Sequence, residues 1–149
     1  MKLGPQHSGV QLAYLIGAVL AFAVSSTATL VRLDRDRAFY PTVVIVIASY
    51  YALFAVMGGS DHALVVETAV IAAFLASSII GFKYSLWFVV AALAAHGVFD
   101  AFHDRLIANP GVPVWWPQFC LTYDVVAAAY LAYLLLRREV GAQNVTTPR

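Results

Sequence analysis

The sequence predicts an all-α integral membrane bundle of five transmembrane helices, on three observations. Of its 149 residues 62% are hydrophobic and only 11% are charged, whereas a soluble domain carries about a quarter charged residues. Several charge-free apolar runs have the length needed to cross a hydrocarbon core of about 30 Å. The breaks between them are short and carry charge or turn chemistry. A single membrane domain covers 1–149, with spans at about 10–31, 41–57, 62–80, 85–103 and 118–136. A net charge of +1 provides no basic face for nucleic acid. The single cysteine, Cys120, excludes an internal disulfide and paired-cysteine metal motifs.

Span one is the charge-free run from Val10 to Val31. Lys2 and the small residues Ala21-Phe22-Ala23 have the look of a cleavable signal. The apolar run nevertheless continues past Ala23 into Arg32, Arg35 and Arg37, a stop-transfer pattern, so span one is expected to stay in the mature chain. The segment Arg32 to Arg37 reads as a solvated loop with local ion pairs, and Ser25, Ser26 and Thr27 as hydroxyls bonding back to their own helix. Span two opens on Phe39-Tyr40-Pro41, an interfacial aromatic pair with proline at a helix start. After Gly58-Gly59, Ser60 or Asp61 is positioned to cap span three, which holds one ionisable group, Glu67. Gly81-Phe82-Lys83 reads as a tight turn that makes spans three and four antiparallel neighbours. Asn109-Pro110-Gly111 has turn chemistry, and Trp115-Trp116 between Pro113 and Pro117 suits the headgroup level. Span five carries Asp124 and ends at Arg137-Arg138, and the tail beyond Gly141 reads as frayed.

Arg32, Arg35, Arg37, Lys83, Arg137 and Arg138 fall at one end of this arrangement, and only Lys2 and Arg105 at the other. The positive-inside rule then places the N-terminus outside and the C-terminus in the cytoplasm. The glycosylation match at Asn144 falls on the wrong side to be used.

Three titratable side chains, His96, Asp100 and His103, share one face of span four, lying within about 60° of arc. His96 lies 13 residues beyond Lys83, Asp124 lies 13 before Arg137, and Tyr50 lies 13 beyond Arg37. Those three share a level about 20 Å above the inner boundary. Glu67 and Asp100 form a layer about 5 Å higher, and His62 and His103 come out at the outer surface. Reflecting Glu67 through Phe82 places it at Gly97, beside His96 and Asp100.

A carboxylate in a span costs at least about 2.5 kcal/mol, so Glu67, Asp100 and Asp124 must be paired, protonated, hydrated or metal-bound. His96, Asp100 and His103 have the ligand types for zinc or non-haem iron, with Glu67 and Asp124 as candidate catalytic base or orienting groups. Tyr50, Cys120 and Tyr123 are candidates to line a cofactor or substrate site. These residues support a metal-dependent membrane hydrolase acting on a lipid or other apolar substrate. The alternative is interhelical glue in a non-enzymatic accessory subunit or a binding module for a pigment, quinone or lipid. A proton or small-solute pathway fits less well, because the inner half offers only hydroxyls. The expected partners are membrane lipid and either another protein or a second copy of the chain.

The runs Arg35-Asp36-Arg37-Ala38-Phe39-Tyr40-Pro41, His96 to His103, and Asn109-Pro110-Gly111-Val112-Pro113 through Trp116-Pro117, Phe119-Cys120 and Tyr123-Asp124 resemble a family of small multi-pass bacterial inner-membrane proteins. The likeness covers most of the chain from Arg35 to Leu136. It implies the same fold and a bacterial inner membrane, and implies no activity. Alkaline ceramidase-type hydrolases are similar in residue type alone, with seven spans and a differently spaced histidine pair.

The orientation is checked by reporter fusion. A C-terminal tag that works only in the cytoplasm should be active, and a periplasm-only tag silent; the reverse result would invert the bundle.

Overall fold

A computed structural model describes residues 5–140. The expected frayed tail and the Asn144 match lie outside those residues. Among the described residues are five α-helices and no strand: α1 Pro5–Leu30, α2 Phe39–Met57, α3 Asp61–Lys83, α4 Trp87–Leu106 and α5 Trp116–Arg137. Four of them, α1, α2, α3 and α5, are long and apolar enough to cross a membrane. α4 falls short on composition, because its last turns carry His96, Asp100, His103, Asp104 and Arg105. Outward faces are largely apolar, with Leu15, Phe22, Val65 and Phe88 all exposed. In water such a surface would aggregate, and in a bilayer it is solvated.

α5 lies between α1 and α4, and α4 is flanked by α5 and α3. α2 packs on α3 and also touches α4. The core divides along its length. At the end holding the start of α2 and the end of α5 it is aliphatic and aromatic, built from Tyr40, Val44, Val89, Leu93, Ala127, Leu131 and Leu134. At the other end the buried residues include Glu67, His96, Asp100, His103 and Asp124.

Local chemistry explains most boundaries. Ser60 caps α3, its hydroxyl accepting from the Ala63 N–H at 3.2 Å. Pro117 sits in the first turn of α5, where its missing N–H costs nothing. Two expectations need correction. Gly81-Phe82-Lys83 is the last turn of α3, not a connection, and the chain reverses over Tyr84–Leu86. Glycine inside a helix costs only about 1 kcal/mol, and here it permits the close approach of Val89, whose side chain and backbone occupy the space a Cβ would need. The segment after α1 is not a solvated ion-pair loop. Residues Leu33–Arg35 form a 3-10 turn in which Asp34 is buried, accepting a hydrogen bond from the Thr29 hydroxyl at 2.5 Å. Arg37 donates to the Gly81 carbonyl at 3.3 Å, tying the start of α2 to the end of α3. Ser26 does bond back to its own helix, to the Phe22 carbonyl at 2.6 Å.

Gly17 sets the approach of α1 to α5: a Cβ there would strike the Phe119 carbonyl and the Thr122 hydroxyl. The Thr122 hydroxyl donates to the Tyr14 carbonyl across this contact at 2.9 Å. Gly17→Ala should therefore destabilise the protein by about 1–3 kcal/mol through overpacking. Gly9 has nothing within 4 Å of its Cβ position, so Gly9→Ala should be neutral or mildly stabilising. Melting curves of both variants in detergent check the contrast, and equal effects would refute the tight crossing.

Candidate polar site and lateral groove

Five buried ionisable side chains, Glu67, His96, Asp100, His103 and Asp124, form two joined groups. In the first, the His96 ring nitrogen Nδ1 lies 2.7 Å from Asp124 Oδ2 and 3.2 Å from Asp100 Oδ2. Ligand atoms of the three residues all fall within 4.8 Å of one another. The i, i+4 spacing puts His96 and Asp100 on one face of α4, and α5 brings in Asp124 from the opposite wall. Gly97 makes this close crossing, since a Cβ there would lie 3.2 Å from the Leu121 carbonyl and 3.4 Å from the Asp124 Cβ. The Tyr51 hydroxyl donates to Asp100 Oδ1 at 2.5 Å.

In the second group His103 Nε2 lies 2.8 Å from Glu67 Oε1, which also accepts from the Asn109 side-chain amide at 3.0 Å. The same amide donates to the Tyr51 carbonyl at 3.0 Å. The Tyr51 ring stacks on the His103 imidazole, with centroids 4.2 Å apart, and so joins the two groups. All five ionisable residues are 0–2% exposed.

Several expectations change at this point. Glu67 packs against α4 but reaches His103, not the His96 and Asp100 level. The reason is the corrected turn: with the reversal centred near Ser85 rather than Phe82, Glu67 reflects onto His103. His103 is accordingly buried and is not a surface group, and the Asn109 amide shares its Glu67 partner. It does not join His96 and Asp100; Asp124 takes that place. His62, Asp104 and Arg105 are exposed helix-end residues. Tyr50 does not meet His96; the neighbouring Tyr51 does, at a ring-centroid distance of 6.1 Å. Sequence reasoning missed both Tyr51 and Asn109. The signal for Tyr51 lay in α2, where Val44, Ala48, Tyr51 and Ala55 form one buried stripe at helical spacing.

Tyr50 turns instead into a groove of about 660 Å³, lined also by Cys120 and Tyr123. The groove runs between α2 on one side and α1 and α5 on the other, from Asp36 and Ala38 at one end to Trp116 and Phe119 at the other. Leu20, Val46 and Tyr50 on its walls are exposed, so it is open sideways. Tyr50 packs on Trp116 at 5.0 Å between centroids. Cys120 and Tyr123 thus share one apolar cleft with Tyr50. His96, Asp100 and Asp124 do not line it.

Comparison with known protein families, with curated proteins and with solved structures returns no match.

The Glu67–His103 pair gives a stability test. His103→Ala leaves a buried carboxylate facing only Asn109 and should cost about 3–5 kcal/mol, whereas replacing both Glu67 and His103 by leucine should cost far less. Denaturation in mixed micelles compares the two. A single variant milder than the double one would show that the pair is not the partner Glu67 depends on.

Proposed function

We propose that this chain is a five-span binding protein of the bacterial inner membrane, with its N-terminus outside, that holds one apolar molecule in the groove between α2 and α5. The occupant is the acyl or isoprenoid chain of a membrane lipid. The observation that carries this reading is the groove itself. Its volume of about 660 Å³ lies within the range of about 300–1,000 Å³ found for small-molecule sites. Its walls are aliphatic and aromatic, and they open sideways, where the surrounding medium is lipid. The ends are polar or amphipathic, with Asp36 and Thr42 at one and Tyr50 and Trp116 at the other, as suits a chain running along the bilayer normal with its ends at the interfaces.

The fifth span is α4. Its 20 residues would give a length of about 30 Å, and it lies between two helices that qualify as spans on their own. Arg37 beside Gly81 supports a common cationic end for α2 and α3, and with it an inside position for that end. Binding is favoured over hydrolysis because a hydrolase must bring the scissile bond to within about 3 Å of its carboxylates. Asp100 and Asp124 are 1% and 0% exposed and line no part of the groove.

Native mass spectrometry on protein extracted in mild detergent tests the reading. About one lipid per chain should survive detergent exchange, and Ile47→Trp, which fills the middle of the groove, should release it without unfolding the bundle. A wild type that retains no lipid, or a variant that retains as much, would refute it.

A further inference from the structure

We infer that His96, Asp100 and Asp124 form a buried site for one divalent transition-metal ion of the zinc, iron or manganese type. The inference is independent of the groove reading. Three ligand atoms from two helices converge within 4.8 Å, and they are one imidazole nitrogen and two carboxylate oxygens, a mixed donor set suited to borderline cations.

Satisfaction of the polar atoms points the same way. Nδ1 of His96 carries at most one hydrogen, yet two carboxylates face it, at 2.7 and 3.2 Å. Asp124 takes that hydrogen bond. Asp100 Oδ2 has no hydrogen-bond partner among the described residues, and neither does Asp124 Oδ1. Both atoms belong to side chains that are fully buried. Orphaned buried oxygens of this kind are rare in folded proteins.

Charge gives a second argument. Two carboxylates and one imidazolium carry a net charge of −1 in a region of low dielectric constant, where an uncompensated charge is costly. A proton held by one carboxyl, or a divalent ion with a neutral imidazole, brings the sum to zero. The tetrahedral ligand sphere of such an ion, with bonds of about 2.0–2.2 Å, sets its ligands about 3.4 Å apart. The His96–Asp100 separation of 3.2 Å is already close to that value, and the His96–Asp124 contact of 2.7 Å needs to open slightly. Tyr51, donating to Asp100 Oδ1 at 2.5 Å, orients that carboxylate from the outer shell. Phe74 from α3 packs edge-on against the His96 ring, with centroids 4.8 Å apart.

The test is metal analysis of the full chain purified in detergent without chelator, followed by melting curves. Wild type and His62→Ala, which changes an exposed histidine outside the site, should each carry about one equivalent of divalent metal. Asp124→Asn should carry none. After chelation, adding Zn²⁺ or Mn²⁺ at about a hundredfold excess over its Kd should raise the wild-type Tm by about 5–10 °C and leave Asp124→Asn unmoved. If Asp124→Asn fails to fold, cobalt loading of the wild type decides the question: visible d–d bands support the site. Metal-free wild type whose melting does not respond to Zn²⁺, Mn²⁺ or Fe²⁺ overturns it, and so does equal binding by wild type and a folded Asp124→Asn.

Discussion

Five ionisable side chains buried in one half of a helical bundle impose the condition on which the rest of this structure depends. Each must find a partner inside the protein, since lipid offers none. α4 supplies three of them, His96, Asp100 and His103, from one face. That face fixes its neighbours: α5 must bring Asp124 to His96, α3 must bring Glu67 to His103, and α2 must bring the Tyr51 hydroxyl to Asp100. Apolar packing alone would leave rotation and register of these helices loosely specified, because lipid tails compete with side-chain packing on nearly equal terms. The aliphatic half of the core between Val44, Leu93 and Leu131 adds density; the polar half dictates which faces meet.

The connection between α4 and α5 completes the polar half. Asn109 turns the chain, its side-chain oxygen accepting from the Gly111 N–H at 3.3 Å, while its amide reaches inward to Glu67 and to the Tyr51 carbonyl. Gly111 allows this loop to rest directly on α2, for a Cβ there would overlap the Phe54 carbonyl. One short segment thus makes the turn and gives Glu67 Oε1 a second hydrogen-bond donor beside His103.

Most of the helices were legible in the sequence because charge-free runs and their flanking arginines, prolines and Gly58-Gly59 are one-dimensional signals. The identity of the buried acids and histidines was legible for the same reason, since a span can be checked for charge without knowing its neighbours. Pairing was not. Counting residues from the cationic end gives height, and height could not separate Tyr50 from Tyr51, which differ by about 1.5 Å along the axis but by about 100° around it. Register depended on where α3 ends, and a glycine that reads as a breaker proved to be the contact point for Val89. That shift of three residues at the turn displaced the partner of Glu67 by six, from Gly97 to His103. Asn109 was hidden by being consistent with a turn, which it also makes.

The groove and the polar centre use neighbouring residues on the same two helices. On α2, Tyr50 lines the groove while Tyr51 holds Asp100. On α5, Cys120 and Tyr123 line it, while Asp124 holds His96. Both walls of the groove are therefore anchored, at the level of these residues, to the His96–Asp100 face of α4. Two hydrogen bonds thus link α2 and α5 through α4 at this height, beside the direct aromatic contact of Tyr50 with Trp116. The same two helices that wall the groove therefore also carry the buried polar groups, so a substitution at Tyr51 or Asp124 acts on the groove walls as well as on the polar centre.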